Sequence, residues 1–339
     1  MTKATSPGPP TSIRVSSTAD LLAVLPYLLG FHPAHSLCLV GLTGSRITWL
    51  TRHDLPQATD LDSFSDTLTH VLANKPTEAV LLVGYGSDQE VTPAMHAALE
   101  RLAAEGVMVA EAVRAEHGRY YSYLCDDETC CPAEGTPYDA DTSAAAASAV
   151  ACGLTALPDR GALEATLKPS HGASREAMEG ATARAAEQIE QQMRRPGGPR
   201  SFVAEVRELI RRALDLYGNG ERLSDADTAR LTVLLGVLRL RDEAWATIRP
   251  DVLDAQLALW ADMTRRATVN TAACASLLAF AAWLDGNGAL ARIAVDRALE
   301  SDPAYSMAHL IDQVLVCGVP PCVATLPTPD ELERMYDEA

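Results

Sequence analysis

The sequence predicts an α/β protein: an N-terminal α/β sandwich with a mixed, centrally parallel sheet, followed by an all-α helical domain. Three observations carry that expectation. EAVLLVGYG is a continuous apolar run of the kind found in strands buried on both faces, and a helical stretch and a second such run, VMVAEAV, follow it as a βαβ unit. From Thr142 onward the apolar spacing changes from strand-like to helical and alanine becomes abundant. RRPGGPR, residues 194–200, then interrupts the helical pattern as the strongest linker signal in the chain.

The elements can be justified in order. MTKATSPGPPTS has one Lys and no apolar segment, so residues 1–12 are expected to form a flexible tail rather than a signal peptide. Ser17-Thr-Ala-Asp20 has capping-box spacing with Asp in place of Glu. It opens LLAVLPYLL, in which Pro26 should kink or shorten the helix and Gly30 should end it. SLCLVGL reads as a buried strand, Thr43-Gly44 as a turn, and RITWLTRHDLP as a returning strand. Asp60–Ala73 is amphipathic, with Phe64, Leu68, Val71 and Leu72 on one side. Thr92-Pro93 is expected to open the crossover helix, which runs to Ala104. GRYYSYL reads as an edge strand, for about five strands in all.

TSAAAASAVACGLTAL is expected to be one helix, and Ser174–Met193 a second, charged one. Further helices are expected at Ser201–Tyr217, Asp225–Leu240, Asp251–Arg266 and Ala272–Leu284, with two more beyond. Ala291, Val295, Ala298 and Pro303 match the second half of a tetratricopeptide repeat, with Val in place of Phe. Its first half is degenerate: Leu278 fits, but Ala275 and Ala279 stand where Trp and Gly are usual. One such unit cannot bury its own core, so it reads as one tetratricopeptide-like helix pair within a bundle rather than a solenoid. The domain boundaries expected are 13–141 for the α/β domain, 142–200 for a helical connector and linker, and 201–325 for the helical domain. Residues 326–339 read as an acidic tail.

Composition narrows the function classes. The net charge of −17 repels phosphate backbones and argues against bulk nucleic-acid binding. No apolar run approaches the roughly 20 residues that span a bilayer, so a cytoplasmic protein with no membrane association is expected.

Chemistry-bearing residues concentrate in YYSYLCDDETCCPAEGTP, residues 120–137. Cys125, Cys130 and Cys131 could supply thiolates to a structural zinc, with His117 or Cys152 the nearest further ligand in sequence. Adjacent cysteines on an extended backbone point apart, and the usual C-x2-C pairs are missing, so thiols packed as small apolar residues are the preferred reading over zinc. Asp126, Asp127 and Glu128 should raise the thiol pKa and disfavour a reactive nucleophile. A second C-x4-C pair, Cys317 and Cys322, lies near the C-terminus.

Two loops are candidate ligand sites. His32 and His35 fall in the segment joining the first helix to the first strand, with Ser36 and Asp54 as conceivable companions. Gly84, Gly86 and Ser87 follow the best strand, where open α/β sheets bind ligands. The third glycine of a dinucleotide fingerprint and the Walker lysine are both missing, and Asp88 and Glu90 repel anions. Ordinary turn roles are preferred at both loops.

Three blocks carry a resemblance. RVSSTADLLAVLPYLLGFHPAHSLCLVGL, RYYSYLCDDETCCPAEGTP and WLDGNGALARIAVDRALESDPAYSMAHLIDQVLVCGVPP together resemble the actinobacterial domain-of-unknown-function family 4192, from about Ile13 to Pro321. The resemblance implies an intracellular actinobacterial protein and brings no activity, cofactor or catalytic residue with it. The residues favour a non-enzymatic interaction or regulatory protein, with a protein partner met through the C-terminal helices. The alternative is an enzyme or small-ligand binder using the loops at the crest of the sheet.

Overall fold

The structure, a computed structural model, describes residues 13–194 and 198–337. The expected flexible tail and the centre of the RRPGGPR linker lie outside the described residues. The described residues form two compact units, one within 13–163 with 316–319 and one within 164–315 with 320–337.

In the first unit, α1 (Thr18–Leu29) starts where Ser17 accepts a hydrogen bond from the Asp20 amide, and it ends at Gly30 with φ 81°. Pro26 is carried inside the helix. Next come β1 (Ser36–Thr43), β2 (Arg46–Asp54), α2 (Leu61–Asn74), β3 (Ala79–Tyr85), α3 (Asp88–Ala104), β4 (Met108–Glu116), β5 (Arg119–Ser122) and the two-residue β6 (Thr136–Pro137). The short helices α4 (Ala144–Ala151) and α5 (Arg160–Ala165, to Leu163 in this unit) follow. The strands form one mixed sheet in the order β2-β1-β3-β4-β5-β6. Its central pair, β3 and β4, is parallel, and all the others are antiparallel.

Strand alternation sorts the side chains between two faces. Leu37, Leu39, Val80, Leu82 and Ala112 meet Phe64 and Leu68 of α2 and Val91, Met95 and Leu102 of α3. Burial of the Val, Leu, Met and Phe side chains among them contributes roughly 1.5–3 kcal/mol each before entropy is counted. Cys38, Val40 and Val83 are equally buried on the opposite face. That face is the α1 side, since Thr18 Oγ1 donates to Glu111 Oε2 of β4 at 3.0 Å. α1 in turn packs Val24 against Ala145 and Ala149 of α4.

α3 begins one turn earlier than Thr92-Pro93 suggests, at Asp88. The start signal is Ser87-Asp-Gln-Glu90, whose Glu90 carboxylate accepts from Ser87 N at 2.9 Å and Ser87 Oγ at 2.6 Å. Pro93 is therefore the sixth residue of the helix and not its opening one, and having no N–H it leaves the Gln89 carbonyl without its i+4 donor. Alanine-rich α4 is also shorter than expected, closing at Cys152.

The second unit contains α6 (Ala173–Met193), α7 (Gly198–Gly218), α8 (Asp225–Leu234), α9 (Leu238–Trp245), α10 (Leu253–Arg266), α11 (Thr271–Leu284), α12 (Gly288–Ser301), α13 (Ser306–Val316, to Leu315 in this unit) and α14 (Pro329–Asp337). The helix expected over 225–240 is two helices. At their junction, Asn270 Nδ2 donates to the Thr232 and Val233 carbonyls at 2.9 and 3.4 Å. A Cβ on Gly236 would lie 2.6 Å from that nitrogen, so only glycine lets Asn270 approach. α11 and α12 pack along their length, with Ala275, Leu278 and Ala279 of one and Ala291, Val295 and Ala298 of the other fully buried. Ala308 of α13 joins Ala272, Ala275 and Ala298 in one cluster. The acidic C-terminal segment forms α14, which buries Leu332 and places Tyr336 O–H 2.5 Å from Asp242 Oδ2 of α9.

Candidate metal centre and the crest of the sheet

Two places in the first unit gather the residues that sequence marks as chemical. The crest lies where β3 and β4 end and β1 begins, since Ser36 pairs with Tyr85 in register. His35, at φ 45°, precedes β1, and its carbonyl accepts from Leu55 N. Its Nδ1 stands 2.9 Å from Glu90 Oε1. Glu90 thus holds Ser87 and His35 together. Its carboxyl is kept below the usual carboxylate range, first by the Ser87 hydroxyl and amide and then by the His35 charge.

The amides that could cradle an anion are already used, Ser87 N by Glu90 and Gly86 N by the Ala115 carbonyl. Gly84 lies within β3, and a Cβ there would come 2.2 Å from Val91 Cγ1, so its missing side chain lets α3 pack on the sheet. His32 is exposed, and its amide donates to Leu157 O. Ser36 Oγ is buried without a hydrogen-bond partner among the described residues. Asp54 pairs with Arg52 at 2.7 Å and Arg160 at 3.4 Å. The crest therefore brings His35, Gly86 and Ser87 together and leaves His32 and Gly84 in local backbone and packing roles.

Two crest roles are not anticipated from the sequence. One is that of Glu90, expected only to repel anions but legible as the fourth residue of S-x-x-E. The other is that of Arg114 on β4, buried with its guanidinium 4.0 Å from the Tyr121 ring centre. Arg114 pairs with Glu116 at 2.5 Å and Asp88 at 3.6 Å.

The second place is the cysteine loop. β5 delivers the chain to residues 123–135, and β6 returns it by pairing Tyr120 with Thr136 and Arg119 with Pro137. Arg119 donates to the carbonyls of Glu134 and Gly135, at 3.2 and 2.7 Å, and closes the base. Ser122 Oγ accepts from the amides of Leu124 and Cys125, both at 3.1 Å. The Asp127 carbonyl accepts from Cys130 N at 3.0 Å and Cys131 N at 2.7 Å, so the backbone at the two cysteines is a turn and not a strand.

That turn removes the objection to adjacent cysteines. The sulfurs of Cys130 and Cys131 are 3.9 Å apart, and the three sulfurs of Cys125, Cys130 and Cys131 all lie within 4.8 Å of one another. The Cys125 thiol first, then burial and the Cys130 thiol, push Cys131 up to about 12. The acidic side chains are not among the causes. The burial expected of packed thiols is found at Cys38 and Cys274, whereas Cys130 is exposed and its two companions half-buried.

His117 sits in the β4–β5 turn at φ 49°, its side chain 90% exposed beside Glu116, and is not in the converged set. Cys152 caps α4 and is exposed. Cys317 is half-buried, and its carbonyl accepts from Asn74 Nδ2 at 2.8 Å. Cys322 is exposed in a single 3-10 turn. All eight cysteines fall within the described residues, and none is in a disulfide.

Among the described residues, no helix is long and apolar enough to cross a membrane. No curated protein and no solved structure matches the chain. Residues 19–322 match the family model described as Domain of unknown function (DUF4192), and the chain belongs to that family.

Proposed function

We propose that the protein is a non-catalytic interaction or regulatory protein that meets a protein partner through its helical unit. The observation supporting this is a gathering of exposed apolar side chains. Val237, 49% exposed, caps α9, Leu238, 55% exposed, starts it, and Val269, 39% exposed, precedes α11. The Asn270–Thr232 bond and the close approach of Asn270 to Gly236 set these two junctions side by side. Scattered single apolar residues are ordinary on a surface, whereas neighbouring ones mark contact sites. The crest argues in the same direction, because its amides and its carboxylate are consumed internally. With a charge of −17, the reading takes the protein as cytoplasmic and not a bulk nucleic-acid binder.

Leu238→Glu tests the proposal, since an exposed position tolerates the change without unfolding. Proteins enriched from a lysate of the source organism by the wild-type chain should be lost with Leu238→Glu and kept with Leu310→Glu on α13. Recovery of the same set by all three chains overturns it. The second reading, a small-ligand site at the crest, draws on the convergence of His35, Ser87 and Glu90. Saturable binding of a nucleotide or sugar phosphate, abolished by His35→Ala, would replace the first reading with the second.

A further inference from the structure

We propose that Cys125, Cys130 and Cys131 bind one zinc ion as three thiolate ligands, pinning the loop between β5 and β6 at the edge of the sheet. The loop gives the first reason. No residue from Leu124 to Glu134 is buried, and Leu124 is 49% exposed, so this excursion has no apolar core to fix it. Segments that cannot build a core are held by staples, and here the inward-gathered side chains are the three thiols.

Geometry gives the second. Tetrahedral zinc with bonds of about 2.3 Å places its sulfur ligands about 3.8 Å apart. Cys130 and Cys131 are 3.9 Å apart, and the third sulfur lies within 4.8 Å of both. A disulfide needs sulfurs about 2.05 Å apart, far closer than this pair. The Asp127 turn, with both cysteine amides on one carbonyl, is what aims neighbouring side chains at one point. The chain reaches the site with its ends already fixed by β5 and β6, so little ordering entropy is added on binding.

Charge and softness select the ion. Thiolate sets favour zinc, copper(I) and iron–sulfur clusters over magnesium or calcium. Binding releases three S–H protons to solvent and leaves a zinc–tris-thiolate with one net negative charge. The exposed carboxylates Asp126, Asp127 and Glu128 favour the approach of a dication. Cys130 is exposed, so the fourth position opens to water, the arrangement of three protein ligands and one exchangeable ligand.

The test uses the full chain, purified under reducing conditions and loaded with zinc alone. One equivalent should survive gel filtration, and Cys130→Ser and Cys131→Ser should each abolish it. Cys322→Ser, which alters an exposed cysteine outside the loop, should leave it intact. Cobalt(II) in place of zinc should give thiolate charge-transfer absorption and the ligand-field bands of a tetrahedral site. Alkylation provides a readout independent of the variants: zinc should protect the three loop cysteines of wild type, and a chelator should expose them. A metal-free wild type after loading, zinc retained by the triple serine variant, or alkylation unaffected by zinc overturns the proposal.

Discussion

Glu90 Oε1 lies 2.9 Å from His35 Nδ1, and the same carboxylate accepts both the amide and the hydroxyl of Ser87. One side chain thereby ties the start of α3 to the residue that leads into β1. Removing the capping hydroxyl with Ser87→Ala should lower stability by about 1 kcal/mol. His35→Ala should change the melting temperature little, because its ring is 73% exposed and an exposed pair contributes little. Chemical denaturation of the two variants measures both. A larger loss in His35→Ala than in Ser87→Ala would mean that the histidine, and not the cap, holds the crest.

Gly84→Ala should be more costly than its size suggests. The added methyl would meet Val91 Cγ1 at 2.2 Å in a core where Val91 is fully buried, and α3 would have to move off the sheet. Overpacking of this kind costs about 1–3 kcal/mol. Val91→Ala opens the space the methyl needs, so the double variant should be less destabilised than the two single losses added together. Additive losses would place the strain elsewhere.

These two contacts of α3 mark the limit of what is legible in the sequence. Strand and helix periodicity, the Ser17 cap and Gly30 are local signals, and β1 to β4, α1 and α2 follow from them. Local signals also compete: Thr92-Pro93 drew attention from Ser87–Glu90, although the earlier box sets the start of α3. The break between α8 and α9 was illegible, because its cause is Asn270, which reaches the junction from the start of α11. The cysteine loop shows the same limit. Its residue types were evident, but the convergence of Cys125 with Cys130 and Cys131 depends on a turn closed by the Asp127 carbonyl and on the β6 return. The pairing rule for extended backbone pointed the other way.

Stability should fall on mild acidification because of His53. Its ring stands edge-on to Phe64, and burial first, then the Arg52 charge, depresses its pKa to about 4, against the partial opposition of Asp54. The unfolded chain titrates near 6.5, so it takes up the proton before the folded chain does. Stability contributed by the neutral ring is complete above pH 6.5 and is lost as pH falls towards 4. The loss should reach about 2 kcal/mol by pH 5. Urea denaturation between pH 7 and pH 5 should show this slope in wild type and a flatter one in His53→Phe, which removes the titrating group. Equal slopes would assign the acid sensitivity to other groups.

In the helical unit the corresponding weak point is Arg266. Its guanidinium is buried, donating to Asp262 at 2.8 Å, Asp225 at 2.6 Å and the Leu223 carbonyl at 3.1 Å. Tyr217 O–H donates to the same Asp262 carboxylate at 2.5 Å, and burial together with that carboxylate raises the phenol pKa. Arg266→Met keeps much of the stem volume and removes the positive charge between two carboxylates. Losing one partner of a buried ion pair costs about 3–5 kcal/mol, and the exposure of Asp225 places the expected loss near the lower end. Asp262→Asn alongside Arg266→Met should restore part of it, since the amide needs no counter-charge and can still accept from Tyr217. No restoration in the double variant would show that Arg266 acts through its packing and its Leu223 hydrogen bond rather than through charge.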